Sequence, residues 1–530
     1  MLSFYIVIGL FAALNVVLEY KRDLMMLQQN SYRNDRYCKW LRVSRDTTSM
    51  WRLSGIIVFF MALAGLGLEL IALPLIGLFS CAHAGVLVSR KYKLPLVWTK
   101  RARRIYCVYL FLAMIVCAVA VLLFGDSMLL TAVKVTAIAL TGCYCISHVL
   151  ILLANIILSP VEKAINRRYY NEAASILASM PDLKIIGVTG SYGKTSTKHY
   201  LHRILSEQYD TLMTPGNFNT TLGVVRTIRE HLKPYNEIFV VEMGAKEVGD
   251  IREICDLVHP QAGIVTAVGP QHLESFKTIE NIQGTKFELV DSLPADGLAV
   301  VNNDFEMIEN RKVDNVACHR YAVKKTDGAR IIAEDISYSA NGTDFTMRDA
   351  DGWTMRLHTR LVGECNISNL LAAVSMARHF GVTDDNIRYA VGEIAQVEHR
   401  LSIRRAPGGI VVIDDAYNSN PVGSSMALDV LAGMEGGRRV VVTPGMVELG
   451  DRTYELNNAF GKKIAQSADI AVIVCRYNRD AIIDGIKSQG MAADAIYTVD
   501  TFAEAQKLLS TILQAGDTVL YENDLPDTFK

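Results

Sequence analysis

A strand-like run, Lys184–Thr189, empties into Gly187-Val-Thr-Gly190-Ser-Tyr-Gly193-Lys194-Thr195-Ser196-Thr. Glycines followed by Lys-Thr at the opening of a helix make a phosphate cradle, because backbone N–H groups and the helix N-terminus both face the anion. Lys194 is placed to neutralise β- and γ-phosphate charge, and the Thr195 hydroxyl to bind Mg2+. Gly190, Gly193, Lys194, Thr195 and Ser196 are therefore the expected nucleotide-binding stretch. The spacing is not the strict Walker one: position 188 is Val, and the nearest glycines are Gly187 and Gly190.

The elements around this loop read as α/β. Apolar runs at Lys184–Thr189, Ile238–Met243, Gly263–Val268, Ile410–Asp414, Arg439–Thr443, Ile470–Val474 and Thr518–Tyr521 alternate with helical stretches, the pattern of a mostly parallel sheet. Residues 315–360 differ, with short strands and turn signals at Asn341-Gly342 and Asp351-Gly352, and are expected to form an antiparallel insertion.

Everything before residue 158 is of another kind. Residues 1–160 carry 16 Lys and Arg against 6 Asp and Glu, while the remainder carries 38 against 49. Apolar runs at Ser3–Leu18, 54–70, 72–88, 105–124 and 129–157 predict five membrane helices, the second and third closing as a hairpin around Leu73-Pro74. The first run lacks the basic start and cleavage site of a signal peptide. Basic segments at 20–52 and 89–104 stay cytoplasmic, which puts the N-terminus outside and everything after about residue 158 inside, where ATP is available. These segments are either simple topology determinants or sites that attract anionic membrane lipids. Glu69 and Lys134 are ionisable residues within the spans and so candidates for function. Cys143, Cys145 and His148 superficially suggest a metal site, but free Cys in an apolar stretch packs as a small hydrophobe. The 10 Cys include no CxxC pair and fit a reducing compartment for the soluble part. The expected domains are a membrane domain at 1–158, a linker helix at 159–182, a central ATP-binding domain at 183–396 and a C-terminal domain at 397–530.

From residue 183 to about 475, and more weakly to the C-terminus, the sequence resembles the Mur ligase family, which joins amino acids or peptides to peptidoglycan precursors. The loop has the family spacing TGxxGKT(T/S)T. Further segments match in order: Thr214-Pro-Gly-Asn217-Phe-Asn219, Val241-Glu242-Met-Gly-Ala245, Gly269-Pro-Gln-His272-Leu-Glu274, Gly284-Thr-Lys286, Gly363-Glu-Cys-Asn366-Ile-Ser-Asn369, His399-Arg400-Leu, Ile413-Asp414-Asp415-Ala-Tyr417-Asn418-Ser-Asn420-Pro421 and Gly445-Met-Val-Glu448-Leu-Gly450. The forms at 241–245, 269–274 and 413–421 are those of the branch that adds D-alanyl-D-alanine.

The resemblance implies a multi-pass α-helical membrane domain followed by a P-loop ATPase domain and a Rossmann-like ligase domain. It implies roles as well. Glu242 and His272 would hold Mg2+, two ions in all with Thr195. Lys286 would be carbamylated, turning a cation that repels Mg2+ into an anion that holds it. Asn366 and Asn369 would contact adenine, although Cys365 replaces the usual His before them. Arg400 would reach the nucleotide phosphates and Asp415 the ribose. Asn217 and Asn219 would lie on the substrate side, with Tyr417, Asn418 and Asn420 near the incoming amine. The implied reaction uses ATP to phosphorylate an acceptor carboxylate, and an amine such as D-Ala-D-Ala, or another amino acid, then captures the acyl phosphate.

Two departures matter. A five-helix membrane domain stands where the family has a soluble UDP-sugar-binding domain, so the acceptor is UDP-linked or lipid-linked, or the protein docks into a membrane cell-wall synthesis complex. Residues 516–528 carry Glu-Asn-Asp where a lysine-containing Lys-Gly-Ser segment is expected, which leaves the amine open. Nothing points to nucleic acid. A nucleotide-driven transporter would not require the Asp-Asp-Ala-Tyr-Asn loop. A catalytically silent scaffold would tend to lose Lys194, Glu242, His272 or Lys286, and all four are present.

Overall fold

The computed structural model describes residues 2–64, 69–92, 94–125, 128–339, 342–417 and 419–525. Lys93, Asn341 and Asn418, and the side chain of Glu69, lie outside the described residues. The chain divides into two compact units, residues 1–167 with 525–530, and residues 168–524.

The first unit is helical. Its helices are α1 (Leu2–Gln29), α2 (Asn34–Ser44), α3 (Met50–Ala64), α4 (Glu69–Ser89), α5 (Lys100–Phe124), α6 (Leu129–Cys145) and the start of α7 (Ser147–Ala178). Among the described residues, four segments are long and apolar enough to cross a membrane: Leu2–Gln29, Ile71–Ser89, Lys100–Phe124 and Ser147–Ala178. Helices α3 and α6 are apolar but shorter. The expected hairpin turn is not at Leu73-Pro74, because Pro74 lies inside α4.

The expected helix at 129–157 is bent at Ile146. The ladder survives the bend, since Ile146 N–H donates to Gly142 and Leu150 N–H donates to Ile146, both at 3.1 Å. Helix α7 then runs through Pro160 to Ala178, so a boundary at 158 falls inside a helix and the linker helix is the end of α7. Helix α2, in the basic 20–52 segment, was not expected; its Tyr37 and Trp40 are buried. Lys134 lies over the Tyr5 ring, 5.2 Å from its centre. Glycines let α3 and α6 approach: a Cβ on Gly55 would strike the Tyr144 ring, and one on Gly142 would lie 2.9 Å from Phe59.

The second unit holds two sheets. In the first region the order is β1 (Lys184–Thr189), α8 (Lys194–Leu205), β2 (Thr211–Met213), α9 (Thr221–Glu230), β3 (Ile238–Glu242), α10 (Asp250–Val258), β4 (Ala262–Val265), α11 (Leu273–Phe276), α12 (Ile279–Asp291), β5 (Leu298–Asn302), α13 (Glu306–Glu309), β6 (Ala317–Ala322), β7 (Ile331–Ser339), β8 (Gly342–Asp349), β9 (Thr354–Thr359), α14 (Glu364–His379) and α15 (Asp384–Glu393). The strands line up as β2-β3-β1-β4-β5-β6-β7-β8-β9. Pairing is parallel from β2 to β7 and antiparallel from β7 to β9. The antiparallel part is thus an extension of the main sheet that starts at Ile331 rather than an insertion from 315; β6 pairs parallel with β5. Strands β3, β4 and β5 are buried at every residue, which is why they read as unbroken apolar runs.

The C-terminal region runs β10 (Ser402–Ala406), β11 (Ile410–Asp415), α16 (Pro421–Ala432), β12 (Arg439–Thr443), α17 (Thr453–Ser467), β13 (Ile470–Val474), α18 (Arg479–Ser488), β14 (Ile496–Val499), α19 (Phe502–Ile512) and β15 (Thr518–Glu522). Its sheet order is β10-β11-β15-β12-β13-β14, parallel except for β10. Open parallel sheets bind ligands beyond the carboxyl ends of their strands.

Gly55→Leu should overpack the α3–α6 seam and destabilise the helical unit by about 1–3 kcal/mol. Gly9, whose Cβ position has nothing within 4 Å, should accept Ala with little change. Thermal unfolding of the detergent-solubilised chain checks this; equal midpoints for the two variants would show that the seam is not packed.

Candidate functional site

Strand β1 ends in the glycine loop. Gly190 (φ 146°) and Gly193 (φ 77°) lie in the left-handed half of backbone space. A Cβ on Gly190 would collide with the Thr266 hydroxyl, and one on Gly193 with Asn369 Oδ1. Gly193 offers no side-chain cap to α8, so the first N–H groups of the helix stay open. Ser191 Oγ both donates to Gly269 O and accepts from Gly269 N–H, at 3.1 Å each, which ties the loop to the turn after β4. Lys194 Nζ folds back onto Gly190 O at 2.7 Å. Removal from water pushes its ammonium down to about 8, against the pull of Glu242 and with the help of Arg400. Ser196 is buried in the first turn of α8.

Glu242 is the last residue of β3, beside Val188 of β1. It is 1% exposed. Thr195 Oγ1 donates to Oε1 at 3.2 Å, and Asn219 Nδ2 donates to the same oxygen at 3.0 Å. Lys198 Nζ lies 3.0 Å from Oε2. The same ammonium donates to Thr214 O at 2.8 Å and Gly216 O at 2.7 Å. Burial would raise the Glu242 carboxyl, but the charges of Lys198 and Lys194 and the Asn219 bond outweigh it and hold it below the usual range. Lys198 is fully buried and was not singled out from sequence. Its signal was positional: it stands four residues after Lys194, on the same helix face.

Lys286 lies in α12, 2% exposed. Burial pushes its amine down to about 7; the charge of Lys194 adds to this, while Asp250 and Glu288 oppose it. His272 heads α11 with φ 53°. Its Nδ1 pairs with the carboxylate of Glu448, a residue of the C-terminal region, and Lys246 Nζ lies 3.5 Å from the other Glu448 oxygen. Burial lowers the His272 imidazole, Glu448 opposes, and the charge of Lys286 also reaches it. Glu448 stood in a matched segment but was given no role from sequence.

The remaining candidates divide. Asn369 accepts from Thr197 Oγ1 at 3.1 Å and faces the glycine loop. Asn366 is committed to the fold: it accepts from Tyr200 OH at 2.8 Å and donates to Val362 O at 2.8 Å. Arg400 stacks 4.1 Å above the Tyr417 ring, and Asn217 donates to the Tyr417 hydroxyl, so these three link the two regions. Asp415 accepts from Leu401 N–H at 3.0 Å, and burial raises its carboxyl to about 6 despite nearby Arg400. Asn420 caps α16 by accepting from Gly423 N–H at 2.7 Å, ahead of Pro421 at the first helical position. Asn-Pro-x-Gly is also a helix-start signal. At the C-terminal departure, Glu522 ends β15 in register with Asp415 and accepts from Ser419 Oγ at 2.6 Å.

Residues 188–377 match the Mur ligase middle domain, and residues 399–521 match the Mur ligase glutamate ligase domain. A relative in Escherichia coli, named UDP-N-acetylmuramoyl-tripeptide–D-alanyl-D-alanine ligase, is 31% identical over 64% of this chain and 71% of its own length. The chain belongs to the Mur ligase family. A Bacillus subtilis relative of the same name is 29% identical over 53% of this chain, which spans 60% of that relative's length. The structure of MurF from Thermotoga maritima in complex with ADP superposes with a TM-score of 0.60 at 25% identity, covering 68% of this chain and 80% of that one.

In this Mur ligase the donors at the strand ends suit a nucleotide with its divalent cation. Among the described residues no three His, Cys, Asp or Glu side chains form a metal-holding group. Mg2+ commonly takes one or two carboxylates with phosphate oxygens and water, and Thr195 beside Glu242 is such a partial set. Lys198 already supplies a positive charge there.

Lys198→Met should leave Glu242 buried without its partner and destabilise the second unit by about 3–5 kcal/mol. Adding Glu242→Gln should recover much of that loss. Denaturant midpoints of the single and double variants measure the coupling, and additive losses would show that the pair does not interact.

Proposed function

We propose that this Mur ligase is an ATP-dependent amide ligase that adds D-Ala-D-Ala, or a similar amine, to a peptidoglycan precursor peptide at the cytoplasmic membrane face. The observation that carries this is the glycine loop with Lys194 and the Thr195–Glu242 pair at the strand ends of one region, approached by Arg400 and Glu448 from the other. The names of the two relatives and the ADP in the Thermotoga structure support it.

In the first step an acceptor carboxylate oxygen attacks the γ-phosphorus, and ADP leaves. This brings two anions together. Lys194, on release from Gly190 O, turns its charge to the phosphates, and the open N–H groups of α8 hold them. In the second step the amine nitrogen attacks the acyl-phosphate carbon, the C–O bond to phosphate breaks, and the nitrogen loses a proton. The Arg400–Tyr417–Asn217 link draws the C-terminal region over the site and so keeps water from the acyl phosphate. Thr195, Glu242, His272 and a carbamylated Lys286 would hold Mg2+, two ions in all, which supplies charge neutralisation for phosphoryl transfer. Asn369 and Asp415 are assigned to the adenine and ribose sides.

Carbamylation suits Lys286 because a neutral amine attacks CO2, and burial holds this amine near neutrality. The helical unit is assigned to the membrane, and its presence favours a lipid-linked acceptor or a membrane-bound synthesis complex over a freely soluble route.

Detergent-purified protein given ATP, Mg2+, a muramoyl-peptide acceptor and D-Ala-D-Ala should yield the amide and ADP together by mass spectrometry. Lys194→Ala should lower the rate by about 10^3-fold. ATP hydrolysis indifferent to the amine, with no amide formed, would overturn the reading. Protein equilibrated with 13C-bicarbonate should show a carbamate carbon by NMR that Lys286→Arg abolishes. A spectrum without that carbon would leave Lys286 as a plain buried amine.

A further inference from the structure

The helical unit contains a buried set of charges that the ligase reading does not use. Glu19 and Asp23 face inward from α1 at 1% and 0% exposure, and Arg52 of α3 is 3% exposed. Asp46 comes from the 3-10 turn Asp46–Thr48, and His148 from the second position of α7. Arg52 Nη2 donates to Glu19 Oε1 at 2.7 Å, and its Nη1 donates to Ser147 Oγ at 3.0 Å and to Tyr144 O. Arg22 donates to Glu19 Oε1 at 2.9 Å and to Asp46 Oδ2 at 3.0 Å.

Three carboxylates against two guanidiniums leave one negative charge without balance among apolar helices, where an unbalanced charge is costly. His148 stands where the missing charge belongs. Its Nδ1 lies 3.4 Å from Asp23 Oδ1 and its Nε2 lies 3.1 Å from Asp46 Oδ2. Only the imidazolium carries a proton on both nitrogens and can serve both acids. Asp23 Oδ1 is buried with no hydrogen-bond donor satisfying it among the described residues. The same Nε2 also lies 3.1 Å from Arg52 Nη2, a donor, which only a neutral ring accepts. The ring therefore sits between two partner sets, and one proton separates them.

We propose that His148, clamped between Asp23 and Asp46, is a proton-binding site inside the helical unit, and that its occupancy sets whether Arg52 shares its guanidinium with the imidazole. With the proton bound, Nε2–H turns to Asp46, and Arg52 serves Glu19, Ser147 and the Tyr144 carbonyl. Without it, Nε2 accepts from Arg52, and the set carries a net negative charge. The groups packed around the ring are compatible with both states. Tyr37 of α2 places its hydroxyl 2.9 Å from Nδ1, able to donate or accept. Tyr109 of α5 donates to Asp23 Oδ2 at 3.0 Å and to Ser147 O at 2.6 Å. On α6, Tyr144 stacks with Arg52 and packs against His83 of α4, while Cys143 is buried.

The test is nitrogen-15 NMR of the full chain, labelled at its 11 histidines and reconstituted in lipid nanodiscs. One imidazole should be protonated on both nitrogens at the acid end and become a single neutral tautomer at the alkaline end, and His148→Gln should remove that signal. Asp46→Asn should shift its midpoint down by about one pH unit. If His148→Gln does not fold, the signal that moves in Asp46→Asn makes the assignment. A His148 that stays neutral throughout, or a titration that Asp46→Asn leaves in place, would overturn the proposal.

Discussion

A carboxylate buried at the end of a central strand has to be balanced, and much of the ligase site follows from how Glu242 meets that demand. Two lysines one helical turn apart on α8, a threonine hydroxyl and an asparagine amide surround it. Lys198 does so from a fully enclosed position, held also by two carbonyls of the segment after β2. That arrangement positions the first turn of α8 against β3 and with it the glycine loop proposed to hold phosphate. A charge that would otherwise oppose folding thus becomes the point to which loop, helix and neighbouring strand are referred.

The second constraint acts between the two regions of the ligase unit. Strand ends of the first sheet present Lys194, Glu242 and His272, and the C-terminal region answers with Glu448 and Arg400. Each cross-link pairs groups that also suit ligand chemistry: an imidazole with a carboxylate, and a guanidinium on a tyrosine ring bonded to an asparagine. Bonds of this kind exchange readily for bonds to phosphate or metal. On the proposed function, closure and ligand capture would draw on the same side chains.

What could be read from sequence was what lies close together along it. The strands at Lys184–Thr189, Arg439–Thr443 and Ile470–Val474 coincide with their sequence runs because, past Lys184 and Arg439 at their starts, every residue in them is buried. The glycine loop was legible because its backbone demands are local. Lys198 was not, since a lysine on a helix reads as surface until its partner 44 residues on is placed beside it. Glu448, and the acid set of the helical unit, were hidden for the same reason: Glu19, Arg52 and His148 meet only after three helices have packed. Asn366 and Asn420 belong to motifs, and their amides also hold helices in place, so membership of a ligand-binding motif does not by itself separate a residue that touches the ligand from one that shapes the wall.

The acid at position 522 is best understood through its neighbour. Glu522 and Asp415 end adjacent parallel strands in register, close enough that two charges would repel. Burial, and then the charge of Asp415, push the Glu522 carboxyl well above its usual range, against the Ser419 bond. Burial raises the Asp415 carboxyl as well, to about 6, so the pair as a whole resists carrying two negative charges.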